Sequence, residues 1–178
     1  MPPTLSPAPP TPPAKPLRNR RTDLVFIAFF VVNLCVITYM VDLEQLVIAD
    51  PHNFRYPAWP PGPVIDLVHW YGNHYDPLLM ARPPFWRMTI WIDVIAFGPF
   101  YAAAIYAFIR GRDWIRVPAL VWSGLMLANV LIILMDERHG VTAAPNFVMV
   151  LAANALWLLM PIAMVLRMRR DNPFRVAG

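Results

Sequence analysis

Three aspartates beside or inside stretches that otherwise look like membrane spans are the residues best placed to do chemistry. Asp93 sits within Met88–Ile109, Asp42 closes the apolar run Leu24–Val41, and Asp76 shortly precedes the second run. A carboxylate near a bilayer centre costs roughly 2.5–3.5 kcal/mol on insertion scales, so it must be paired, protonated or turned towards a cavity. Asp93, Phe97, Phe100 and Ala104 follow the helical repeat, which would set an acid beside two aromatic rings on one face. Charge and cation–π attraction would hold a positively charged group there. Asp42 shares a face with Cys35, Thr38 and Tyr39, where it is either the counter-ion of a cationic ligand or a carboxylate that ends the span at the interface.

In the third and fourth apolar runs, Trp122, Met126, Asn129 and Asp136 form one stripe, and Asn146, Val150, Asn154, Trp157 and Pro161 another. Intramembrane Asn commonly glues helices together. Facing Asp93, the two stripes would instead close a largely apolar pocket with few polar anchors, the usual form of a small-molecule site. His69, His74 and Asp76 are spaced like metal ligands, but no further His or Cys supports them, so neither a metal nor another cofactor is expected. No Ser-His-Asp arrangement, P-loop, dinucleotide fingerprint or internal repeat is present. With one cysteine there is no intrachain disulfide, and Cys35 reads as a buried, inert thiol.

The elements that must position these residues are apolar helices. The 178 residues are 58% hydrophobic and 15% charged, with mean hydropathy +0.46. A soluble domain is usually about 45–50% apolar and 25% charged. The runs Leu24–Val41, Met88–Ile109, Val117–Met135 and Phe147–Leu166 are each near the roughly 20 residues that cross the hydrocarbon core. The fold class expected is all-α, an integral membrane four-helix bundle with a long non-cytoplasmic loop between helices 1 and 2. Residues 1–23 form a disordered Pro-rich tail, 24–166 the four-span domain, and 167–178 a basic tail. Lys15, Arg18, Arg20 and Arg21 precede the first span, Arg110, Arg112 and Arg116 join the second to the third, and Arg167, Arg169, Arg170 and Arg175 follow the fourth. These eleven of the 15 basic residues place both termini in the cytoplasm by the positive-inside rule. Membrane orientation thus accounts for the net charge of +4, and no nucleic-acid partner is expected. Arg-, Ala- and Pro-rich usage favours a bacterial cytoplasmic membrane, with the endoplasmic reticulum as the eukaryotic counterpart; a homodimer is compatible with the reading.

The loop from Asp50 to Arg87 is rich in Pro and aromatic residues. Within it, Val64–Gly72 predicts a short amphipathic helix with Leu67, Trp70 and Tyr71 towards apolar surroundings, a lid over the bundle. Trp59, Trp70, Trp86 and Trp91 mark the membrane boundary beside it.

Trp70-Tyr71, Asp76-Pro77-Leu78-Leu79, Pro83-Pro84, the acid-bearing span ending Tyr106-Ala107-Phe108-Ile109, and Trp114-Ile115-Arg116-Val117-Pro118-Ala119 together resemble the sigma-2 receptor branch of the EXPERA family. Asp42-Leu43 fits the same branch, whereas Asp136-Glu137-Arg138-His139-Gly140 and Asn154-Ala155-Leu156-Trp157 through Pro161 look more like its emopamil-binding sterol isomerases. The resemblance spans about Leu24 to Leu166 and implies four helices around a deep pocket for sterols and lipophilic amines. It implies that Asp42 and Asp76 cooperate at a ligand amine, as a coupled pair at the pocket mouth. It also maps the second-span acid, usually Glu, to Asp93, and a polar residue one turn further on to Phe97. In the isomerase branch the matching carboxylates, Asn and Trp are Asp93, Glu137 or its neighbour Asp136, Asn154 and Trp157. That branch also uses a His near the second-span acid, for which His74 is the nearest candidate.

The reading that follows is a protein binding a sterol-like lipid or lipophilic amine through Asp42, Asp76, Asp93, Phe97, Phe100, Trp122, Asn154 and Trp157. The second is a sterol or terpenoid double-bond isomerase in which Asp93 and Glu137 move protons about a carbocation. The third is a structural or chaperone-like membrane subunit.

Overall fold

The computed structural model describes residues 13–175, so Pro2–Pro12 of the Pro-rich tail lie outside the described residues. Four helices are long and apolar enough to cross a membrane: α1 (Arg21–Val47), α4 (Pro84–Arg110), α5 (Asp113–His139) and α6 (Phe147–Arg167). Two shorter helices, α2 (Gly62–His74) and α3 (Leu78–Ala81), lie in the long connection between α1 and α4. The chain is an integral membrane four-helix bundle. The first three predicted runs are extended at both ends, largely by polar or aromatic residues that suit the interface and therefore escape an apolar count, and the fourth by Arg167 alone.

Inside a bilayer the apolar effect does not drive helices together, so the bundle rests on close packing. Ala104, Ala107 and Ala119 are fully buried and let α1, α4 and α5 approach one another. Phe30 fills the space they leave, with ring centroids 5.7 Å from Tyr101, 5.6 Å from Trp122 and 5.8 Å from Phe108. Such aromatic pairs are worth about 0.5–1.5 kcal/mol beyond the area they bury. The outward faces carry exposed Leu131, Ile132, Leu159 and Ile162, as lipid contact requires. Cys35 is also exposed, contrary to the buried thiol expected, because its face of α1 turns away from the bundle.

Two of the spanning helices contain a π-helical segment, Asn33–Asp42 in α1 and Asp93–Phe97 in α4. The second directly precedes Gly98-Pro99. A proline ring clashes with the carbonyl four residues earlier in a regular α-helix, and a wider turn relieves that contact. A β-carbon on Gly98 would stand 2.6 Å from the Tyr39 hydroxyl, so glycine permits the close crossing of α1 and α4 at this level.

The lid is fastened by a buried polar network. Glu44, near the end of α1, receives two hydrogen bonds from Nη2 of Arg82, at 2.8 and 3.0 Å. It is also bonded to His69 of α2 at 2.9 Å. Arg82 adopts φ 47°, a left-handed conformation costly for a residue with a side chain, and donates further to the carbonyls of Ile48 and Leu79. Gln45 accepts from the Trp86 indole at 3.2 Å, which draws Trp86 inward from the predicted aromatic belt.

At the opposite end, Asp23 pairs with Arg20 and with Arg167, and Phe174 is buried beneath both guanidinium groups, 5.0 and 5.1 Å from its ring. Lys15 donates its backbone N–H to the Phe174 carbonyl at 2.9 Å. The described parts of both tails are thereby tied to the bundle.

Candidate functional site

A cavity of about 390 Å³ lies among the four spanning helices and beneath α2. Ile37, Val41, Ile90, Met126, Val130 and Ile133 give it an apolar wall, and Leu67, Val68, Trp70 and Tyr71 cover it from the lid. The sequence places them by simple repeats: Met126, Val130, Ile133 and Glu137 recur every three or four residues on one face of α5. Four carboxyls, Asp42, Asp76, Asp93 and Glu137, interrupt the apolar lining.

They fall into two pairs. Asp42 ends one π-helical segment and Asp93 begins the other, and the crossing of α1 and α4 sets their carboxyls side by side. Thr38 donates its hydroxyl to Oδ2 of Asp93 at 2.6 Å, and the Tyr101 hydroxyl approaches Oδ1 at 3.4 Å. Asp76 caps the turn after α2 by accepting the Leu78 N–H at 3.2 Å, and its other close carboxyl is Glu137 on α5. Burial pushes the Asp76 carboxyl up to about 6, against the lowering effect of its hydrogen bonds. Among the described residues no ion pair reaches any of the four; the nearby bases Arg82 and His69 are committed to Glu44.

The expected pairing of Asp42 with Asp76 is therefore replaced by Asp42 with Asp93 and Asp76 with Glu137. Asp42, within α1, meets Asp93 of α4, whereas Asp76, in the turn after α2, meets Glu137 of α5.

The other predicted site residues divide similarly. Phe97, Asn154 and Trp157 line the cavity with Asp93. Phe100 and Trp122 do not; they stack on each other in the aromatic core, with centroids 5.3 Å apart and planes at 15°. The extra residue in the π-helical turn rotates Phe100 off the face shared by Asp93 and Phe97. His74 is exposed and hydrogen-bonded to the Trp70 carbonyl at 2.7 Å, and Asp136 is bonded to Thr142.

Asn33 was not foreseen, although it is the one polar side chain between Leu24 and Val36. It is buried and accepts the Trp157 indole N–H at 2.8 Å while donating to the Phe29 carbonyl, so it fixes the angle at which Trp157 meets the cavity. Asn33→Ala is expected to cost about 1–2 kcal/mol, the effect of orphaning one buried donor. Thermal unfolding in detergent measures it, and an unchanged midpoint would show that the indole finds another partner.

Comparison with known proteins agrees with this architecture. Residues 63–168 match the model of the EBP family, described as EXPERA, the expanded EBP superfamily. The chain is 28% identical over 167 residues to sigma intracellular receptor 2 of Xenopus tropicalis, covering 88% of this chain and 92% of that protein. It is 29% identical over 109 residues to sigma intracellular receptor 2 of Homo sapiens, covering 59% of this chain and 56% of that one. The matched family segment carries α4 to α6 and most of the lid, hence three of the four cavity carboxyls, and Asp42 alone precedes it. The chain belongs to the EXPERA superfamily and is a membrane protein of its EBP and sigma-2 receptor group.

Proposed function

We propose that this protein binds a lipophilic amine or sterol-like lipid in the intramembrane cavity, with Asp42 and Asp93 as the counter-ion of a cationic group. One observation carries the reading: two adjoining carboxyls face an apolar cavity, and among the described residues no basic side chain pairs with them. Two such acids resist ionising together, so one retains a proton and the pair holds a single negative charge. A ligand ammonium would complete the pair, and Phe97 and Trp157 offer it aromatic faces. The names of the relatives, which are receptors, support ligand binding over a purely structural role.

The test compares a quaternary amphiphile with the isostere in which carbon replaces nitrogen. The cation should bind at least about tenfold more tightly, and equal affinities would reject charge recognition. The geometry supports a binding protein over the isomerase alternative, because no histidine is among the residues lining the cavity. Conversion of a sterol or terpenoid alkene by the purified protein would reverse that preference.

The basic residues at the end that carries both tails support cytoplasmic termini. In a Cys35→Ser background, cysteines placed at the exposed positions Arg112 and Asn53 should label from opposite sides of the membrane. Labelling of both from outside would end this orientation. The bacterial or endoplasmic-reticulum membrane is distinguished by fractionating cells of the source organism.

A further inference from the structure

We propose that Tyr71, Asp76 and Glu137 form a second cation subsite at the lid end of the cavity, so that the ligand class extends to apolar molecules bearing two amines. The proposal rests on the reading of the cavity as an amine site.

Glu137 is only 1% exposed, lines the cavity, and neither of its carboxyl oxygens has a hydrogen-bond donor. The Tyr71 hydroxyl is likewise buried without a partner. Burial, and after it the neighbouring carboxyls of Asp76 and Glu137, push this phenol up to about 12, so it stays neutral. Three groups from α2, the turn after it and α5 thus converge on one spot, and the Tyr71 hydroxyl and both Glu137 oxygens are left unmet. Orphaned buried polar atoms carry a desolvation cost that a bound group would remove.

The donor count selects the ligand. The two carboxyls and the phenol oxygen offer more acceptor sites than the phenol O–H and the one shared proton can fill, and a primary ammonium brings three N–H donors to them. A hydroxyl brings one. The charges around the cluster agree. Arg82 and His69 are engaged by Glu44, His74 by the Trp70 carbonyl, and Arg138 lies over the Phe147 ring. Two adjoining carboxyls sharing one proton therefore keep one negative charge with no basic side chain against it.

This pole is separate from the first. Asp93 lies nine residues into α4 from Pro84 at the lid end, and Glu137 lies two residues from the lid end of α5 at His139. At 1.5 Å per residue Asp93 lies about 10 Å deeper along its helix than Glu137, a span of roughly eight methylenes, and Asp42, five residues from the end of α1 at Val47, lies about 5 Å deeper.

The probe is an eight-carbon chain with a benzylmethylammonium at one end and a primary ammonium at the other. Its comparison compound ends in methyl instead of the second ammonium. Equilibrium binding to the full chain in lipid nanodiscs should favour the diamine at least tenfold. Asp76→Asn/Glu137→Gln should remove that advantage, with thermal unfolding confirming that the near-isosteric variant is folded. A diamine no tighter than the comparison compound, an advantage that survives Asp76→Asn/Glu137→Gln, or a terminal hydroxyl that binds as well as the ammonium would overturn the proposal. In an Asp42→Asn/Asp93→Asn background the diamine should still lose affinity on Asp76→Asn/Glu137→Gln. That background separates the two poles. If the comparison compound ignores Asp42 and Asp93, the first reading fails while the second remains readable.

Discussion

Arg82→Met should destabilise the protein by about 3–5 kcal/mol, because it strands a buried charge. Glu44 is fully buried, and Nη2 of Arg82 bonds both its oxygens. Methionine would fill much of the space but supply no donor to Glu44, Ile48 or Leu79. The left-handed backbone at position 82 would remain, now without the bonds that hold it there. Thermal or denaturant unfolding in detergent reads the loss, and limited proteolysis should show α2 and α3 opening first. The Glu44→Gln/Arg82→Met double variant should recover part of it, since removing both charges leaves none unpaired. A single variant within about 1 kcal/mol of the parent would place this pair among ordinary surface ion pairs.

Asp42→Asn/Asp93→Asn should weaken binding of a quaternary amphiphile by roughly thirtyfold or more, the effect expected when a desolvated charge partner costs at least about 2 kcal/mol. The amide keeps the shape, and at position 93 it still accepts the Thr38 hydroxyl, so folding should survive. The two substitutions should not add. The pair holds one negative charge, and either Asn alone leaves that charge on the remaining carboxyl, so each single variant should cost much less than the double. If Asp93 served only to bind Thr38, affinity would persist and only a small stability change would appear.

The four spans were legible because apolar length is a one-dimensional property, and the lid helix because its aromatic residues recur on one face. Individual acids in apolar runs also stood out, since every charge there needs a reason. Which acids met was not legible. Helix repeat arguments assume a regular α-helix, and the π-helical turn at Asp93–Phe97 moved Phe100 and, with it, Trp122 into the aromatic core. The pairing of Asp76 with Glu137 depends on how the lid folds over α5, a contact between residues far apart in sequence. Glu44 and Arg82 escaped notice for a related reason: at span ends they look like solvated interfacial charges until the lid buries them.

The central claim, that a lipophilic cation sits between Asp42 and Asp93, is tested most directly by photoaffinity labelling in a bilayer. An apolar amine carrying a diazirine next to its nitrogen should modify cavity residues such as Phe97, Ile37 and Trp157. An excess of the unlabelled amine should abolish that modification, and so should Asp42→Asn/Asp93→Asn. Modification confined to outward residues such as Leu131 and Ile162, unaffected by competitor or by the two substitutions, would contradict the claim.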